Sequence, residues 1–99
     1  MNFKGKKVDG ENLFKAVLTL KTEEECRKFF EDVCTVSEFS AISQRIEVAR
    51  LLRLNMPYTE IVNRTGASST TISRVSKCLT LGDGGYAIVL ERMGEKEDV

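Results

Sequence analysis

Residues 56–79 read MPYTEIVNRTGASSTTISRVSKCL, two short helical patterns joined by a single glycine. Ile61 and Val62 lie one turn before Thr65, and Gly66 follows where a left-handed residue reverses the chain without the steric cost of a Cβ. Ala67 is small enough for the inside of a corner. Ser68 and Ser69 then offer hydroxyl oxygens to the unsatisfied amides that open a new helix. Ile72, Val75 and Leu79 recur three and four residues apart and define one buried stripe. The opposite face is Ser69, Thr70, Ser73, Arg74 and Lys77. Turn glycine, small corner residue and buried spacing together are the grammar of a helix-turn-helix over residues 57–80. Short hydroxyls let such a helix approach a DNA groove closely and exchange hydrogen bonds with base edges and phosphates, while Arg74 and Lys77 supply positive charge. A solvated helical hairpin without a ligand has the same surface composition and is the plainer alternative.

Upstream of this stretch, Asn55 and Met56 interrupt a helical pattern, and Pro57 suits the first position of the next helix, where a missing N–H costs nothing. The interrupted pattern starts at Thr35-Val36-Ser37-Glu38, a capping box that predicts a long helix to about Asn55. Phe39, Ile42, Ile46 and Ala49 make one row on it, and Ala41, Val48, Leu51 and Leu52 another. A helix buried on two sides in so small a chain predicts a second subunit. Thr22-Glu23-Glu24-Glu25 is an earlier start signal of the same kind, followed by the stripe Cys26, Phe29, Phe30 and Val33. Cys26 reads as a small core residue rather than a metal ligand or nucleophile. Between Glu11 and Leu20, Leu13, Phe14, Val17 and Leu18 form the apolar face of a first helix.

At the ends the signals thin out. Residues 1–10 hold Lys4, Gly5, Lys6 and Lys7 without an apolar period, and are expected to form a flexible N-terminal arm that frays rather than grips phosphate. Gly82-Asp83-Gly84-Gly85 offers several positions open to positive φ. It lacks the lysine and hydroxyl of a nucleotide loop and reads as a plain connector. Tyr86, Ile88, Val89, Leu90 and Met93 predict a short closing helix, and residues 94–99 a charged tail. The expected organisation is thus one all-helical domain over residues 11–93.

The 99 residues are 41% hydrophobic and 30% charged, with one proline, which suits a helical globular protein and not a disordered one. A chain of this length buries little more than about 60% of its unfolded surface, so a core shared with a second copy would help it. No signal-peptide core or spanning apolar run is seen, and Cys26, Cys34 and Cys78 form no C-x-x-C pair. These features predict a cytoplasmic protein with free thiols and no membrane association. Net charge is zero. Over residues 41–81, however, Arg45, Arg50, Arg53, Arg64, Arg74 and Lys77 face only Glu47 and Glu60, so six cations against two acids leave plus four. The flanks are acidic, and this asymmetry fits a compact surface for a polyanion.

From Thr35 to Leu79 the chain resembles the Trp repressor superfamily, in particular its smaller branch of repressor-like proteins. The residues that carry the resemblance are Leu51-Leu52-Arg53 and Thr65-Gly66-Ala67-Ser68-Ser69-Thr70-Thr71-Ile72-Ser73-Arg74. The resemblance implies an all-α, intertwined homodimer whose paired recognition helices enter successive major grooves of double-stranded DNA, with half-sites about 34 Å apart. The candidate DNA-facing residues are Ser68, Ser69, Thr70, Thr71, Ser73, Arg74 and Lys77, with Thr59 on the preceding helix. Of these, Ser69, Thr70 and Ser73 are expected at bases, and Thr71, Arg74 and Lys77 nearer phosphate or an effector cleft. In tryptophan-binding members an arginine of the recognition helix holds the effector's carboxylate, and Arg74 occupies that position. Arg45 is the counterpart sought for a second arginine of the long helix, although the spacing from Arg45 to Met56 is one residue short. The implied effector site gathers Arg45, Arg74, Val75 and Cys78. Val75 stands where the tryptophan-responsive proteins have glycine, and its branches crowd an aromatic ring. Thr59 and Val62 replace basic residues that grip phosphate, so a weaker grip and an effector other than tryptophan, or none, are expected.

Two functions of different class follow. One is a sequence-specific transcriptional regulator, a repressor, that reads the major groove. The other is a protein-interaction module that keeps the helix-turn-helix packing without DNA. An enzyme is not expected, since the chain has no histidine, no metal-spaced cysteines and no placed carboxylate pair; no cofactor is implied.

Overall fold

In the computed structural model residues 1–94 are described, and they hold six α-helices and one small hairpin. The helices are α1 (Glu11–Leu18), α2 (Glu23–Val33), α3 (Val36–Arg53), α4 (Tyr58–Thr65), α5 (Ser69–Leu81) and α6 (Gly85–Arg92). Two compact units are formed, Met1–Phe39 and a second that starts at Ser40. None of the helices among the described residues is long and apolar enough to cross a membrane. The expected charged tail lies outside the described residues beyond Gly94.

In the first unit, residues that show no apolar period nevertheless pair. Asn2–Phe3 (β1) and Lys6–Lys7 (β2) are antiparallel, with Asn2 opposite Lys7 and Phe3 opposite Lys6. Lys4 and Gly5 between them have φ of 53° and 83°. Positive φ at both central positions is the two-residue turn whose twist matches a hairpin. The chain start closes it, the Met1 ammonium donating to the Val8 carbonyl at 3.1 Å and the Val8 amide to the Met1 carbonyl at 2.8 Å.

Both threonine start signals operate. The Glu25 amide donates to Thr22 Oγ1 at 3.1 Å, while the Glu25 carboxylate accepts from the Lys21 amide at 2.9 Å, one residue before the cap. At α3 the box closes on itself: the Glu38 amide donates to Thr35 Oγ1 at 3.2 Å and the Thr35 amide to Glu38 Oε1 at 2.8 Å. Within this unit Phe29 and Phe30 meet edge to face at 5.2 Å, and Phe30 and Phe39 at 6.3 Å. No residue before Val48 is buried. Leu13, Phe14 and Val17 on α1 are exposed, and Leu18 is 83% exposed.

The core lies in the second unit. Val48, Ala49 and Leu51 of α3, Ile61 of α4, Ala67 of the corner, Ile72 and Val75 of α5 and Leu90 of α6 are all buried. Leu52, Leu54, Met56, Leu79 and Tyr86 pack against them. Asn55, at φ 63°, ends α3 in the left-handed region that a short amide side chain tolerates. Pro57 stands one position earlier than expected, as the extended N-cap of α4, and its carbonyl accepts from the Ile61 amide at 3.0 Å. Of the loop glycines, Gly84 has φ 88° and caps α6. Gly82 does not use positive φ; its φ is −84°, and a Cβ there would stand 2.5 Å from the Cys78 carbonyl oxygen. Steric room rather than backbone freedom requires that glycine.

Glu38 offers a pH test of the α3 start. The Thr35 amide and hydroxyl hold its carboxyl below the ordinary 4.5. A lowered folded-state pKa stabilises above the unfolded value and is lost as pH falls through the lowered one. Glu38→Gln is therefore expected to be less stable than the parent chain at pH 7, with the gap in thermal midpoint closing as pH is taken below 4.5.

Candidate nucleic-acid interface

The corner between α4 and α5 is held by backbone and side-chain bonds that begin in α3. Gly66, at φ 72°, ends α4, and its amide donates to the Val62 carbonyl at 2.8 Å. Thr65 Oγ1 donates back to the Ile61 carbonyl at 2.7 Å and accepts from the Ala67 amide at 3.1 Å. The Thr65 carbonyl, near the open end of α4, accepts from Gln44 Nε2 at 3.1 Å, so a half-buried amide of α3 clamps the turn.

The side chains named from the sequence separate into two groups. Ser68 caps α5: its Oγ accepts from the Thr71 amide at 3.1 Å and donates to Thr71 Oγ1 at 3.2 Å. Those two hydroxyls serve the helix. Ser69, Thr70, Ser73, Arg74 and Lys77 are exposed, and they line one shallow depression. At 3.6 residues per turn they span an arc of about 140°, roughly opposite the stripe of Ile72, Val75 and Leu79. Thr59 is exposed on α4 and does not line that depression.

Local ion pairs decide where the positive charge is available. Arg64 meets Glu60 at 3.2 Å across one turn of α4. Arg50 pairs with Glu47 on α3, and their double hydrogen bond is the first cause of a lowered Glu47 pKa. Arg53 reaches Glu91 and the Ala87 carbonyl of α6, both at 3.5 Å. Arg45, Arg74 and Lys77 carry no ion pair among the described residues. Both acids of the positive segment are thereby used, and two of the three unpaired cations border the hydroxyl-lined depression.

The four residues expected at an effector site differ in their burial. Val75 is 3% exposed and belongs to the core, Cys78 is half-buried, and Arg45 and Arg74 are exposed. Arg45, Arg74 and Cys78 share an electrostatic neighbour that the sequence did not single out for the site, Tyr86 of α6. Burial raises the Tyr86 pKa first and Cys78 adds to it, while Arg45 and Arg74 oppose the shift. Gln44 was also missed: a lone glutamine in a long helix gives no sign of which distant carbonyl it meets. A group of histidine, cysteine or carboxylate side chains able to hold a metal does not occur among the described residues.

Gln44→Leu removes the donor and leaves the Thr65 carbonyl partly buried and unpaired. The expected loss is about 1–3 kcal/mol in urea unfolding, with helix content by circular dichroism unchanged.

Comparison with known proteins gives concordant results. Residues 9–94 match the family model described as Trp repressor protein. The chain is 47% identical over 94 residues to the uncharacterized protein YerC of Bacillus subtilis (strain 168), covering 95% of this chain and 88% of that one. A crystal structure of a candidate Trp repressor from Staphylococcus aureus superposes with a TM-score of 0.84 at 43% identity, covering 87% of this chain and 86% of that one. That of a TrpR-like protein from Eubacterium eligens ATCC 27750 gives 0.82 at 51% identity, with 85% and 87% covered. With a helical fold, a glycine-turned helix pair and a family match over nearly its whole length, this chain belongs to the Trp repressor family.

Proposed function

We propose that the chain is a sequence-specific DNA-binding transcriptional regulator, a repressor, that reads the major groove with α5. The observation that carries the reading is the outer side of α5, where Ser69, Thr70, Ser73, Arg74 and Lys77 are exposed around one depression. Hydroxyls of this length suit close approach to base edges, and Lys77 suits phosphate. Ser68 and Thr71 keep the first turn of α5 formed, and Thr59 stands by as a weak phosphate contact from α4.

The active species in this reading is a homodimer. Its support is the uncovered apolar surface of the first unit, including Leu13, Phe14, Val17 and Leu18. Tryptophan is not the effector, because the branched Val75 side chain fills its own site in the core and leaves no flat surface for an indole. A different small ligand or none takes that role. The competing reading, a protein-docking module, draws on Tyr58 and Val62, which are exposed on α4 where a phosphate-gripping surface would be basic.

A salt titration on duplexes selected from a random pool separates these. Log affinity is expected to fall with log salt by about 0.9 for each phosphate neutralised, and Lys77→Ala to lower the slope by about one. Adding tryptophan leaves the titration unchanged. A flat salt response with no enriched sequence, together with a stoichiometric protein partner recovered from nuclease-treated lysate, would establish the docking module instead.

A further inference from the structure

We infer that Arg74 is the specificity-determining residue of α5, pairing with the O6 and N7 edge of one guanine in each half-site. The inference rests on the DNA-binding reading above and departs from the resemblance, which assigns the residue at this position to an effector's carboxylate. It starts from the fate of the arginines. Arg50, Arg53 and Arg64 are each held by a carboxylate of the same chain. Arg74 is exposed and has no such partner among the described residues.

Position and chemistry narrow the role. Arg74 follows Thr70 by four residues, so it rises from the same side of the helix one turn on, and both line the depression with Ser69, Ser73 and Lys77. Of these five, arginine alone presents a planar fork of donors that matches two acceptors at once. Serine and threonine accept partners at any base and discriminate little, and a lysine ammonium is a point charge on a rotatable stem. The depression holds no asparagine, glutamine or carboxylate, the groups that pair with adenine or accept from cytosine. A surface with this composition recognises a duplex in which one guanine is required and the neighbouring pairs are tolerated.

The residue after Arg74 belongs to the inward side of α5. Val75 is buried in the core, and Tyr86 packs against that core.

The test uses the full chain and duplexes selected from a random pool. One guanine is expected at a fixed position in each half-site. Replacing it with 7-deazaguanine removes N7 but keeps the base pair, and affinity is expected to drop by about tenfold or more, within the range of one bidentate contact. Arg74→Ala is expected to bind all four bases at that position about equally and to lose nothing further on the 7-deazaguanine duplex. Its thermal midpoint stays near the parent value, since the side chain is exposed and pairs with no carboxylate among the described residues. A selected site without a fixed guanine, or full affinity for the 7-deazaguanine duplex, overturns the assignment without using any variant. So does an Arg74→Ala loss that is equal on every sequence and lowers the salt slope by about one, the signature of a phosphate contact. Failure of the parent chain to bind any duplex would instead remove the DNA-binding reading and the assignment with it.

Discussion

The burial of one side of α5 is the constraint on which the rest of the second unit depends. Ile72 and Val75 can enter the core only if the chain reverses sharply after α4, and that reversal is made by Gly66 in the left-handed region. Ala67, buried at the corner, leaves room for Ile61 of α4 and Ile72 of α5 to share the interior with Val48, Ala49 and Leu51 of α3. Gln44 then ties the Thr65 carbonyl to α3, so the corner is joined to the long helix by a polar bond as well as by packing. With the apolar stripe committed inward, the geometry of a 3.6-residue repeat leaves Ser69, Thr70 and Ser73 facing outward.

Charge is organised by the same economy of neighbours. The net positive character of residues 41–81 looks diffuse in the sequence, but the helices sort it. Glu47 and Glu60 lie one turn from Arg50 and Arg64, where i,i+3 and i,i+4 spacing brings opposite charges together. Arg53 crosses to α6. Such exposed pairs contribute little to stability. Their larger effect is subtraction, since they neutralise cations elsewhere and leave Arg74 and Lys77 beside the hydroxyl-lined depression of α5.

What could be read from the sequence was what neighbours in the chain decide. The boxes at Thr22 and Thr35, the turn at Gly66 and the stripe Ile72, Val75 and Leu79 are local patterns, and helices begin, end and face inward where those patterns place them. Long-range pairings left no such trace. Nothing about Gln44 singles out Thr65 as its partner, and nothing about Tyr86 announces that Arg45, Arg74 and Cys78 act on it. The Lys4-Gly5 turn escaped because lysine is an uncommon residue at positive φ. The run of residues 82–85 was legible as a connector open to positive φ, but the constraint at Gly82 is the Cys78 carbonyl and not its own φ. On α5, composition could not separate the hydroxyls engaged in capping, Ser68 and Thr71, from those left free.

The short side chains that line the α5 depression also bear on the entropy of covering it. Ser69, Thr70 and Ser73 have few rotamers to lose, whereas immobilising a long side chain such as Arg74 or Lys77 costs up to about 2 kcal/mol. A surface closing over the depression therefore freezes motion mainly along its charged edge. The hydroxyl floor behaves as a nearly pre-set mould, and the penalty for order falls on the two residues with the longest reach.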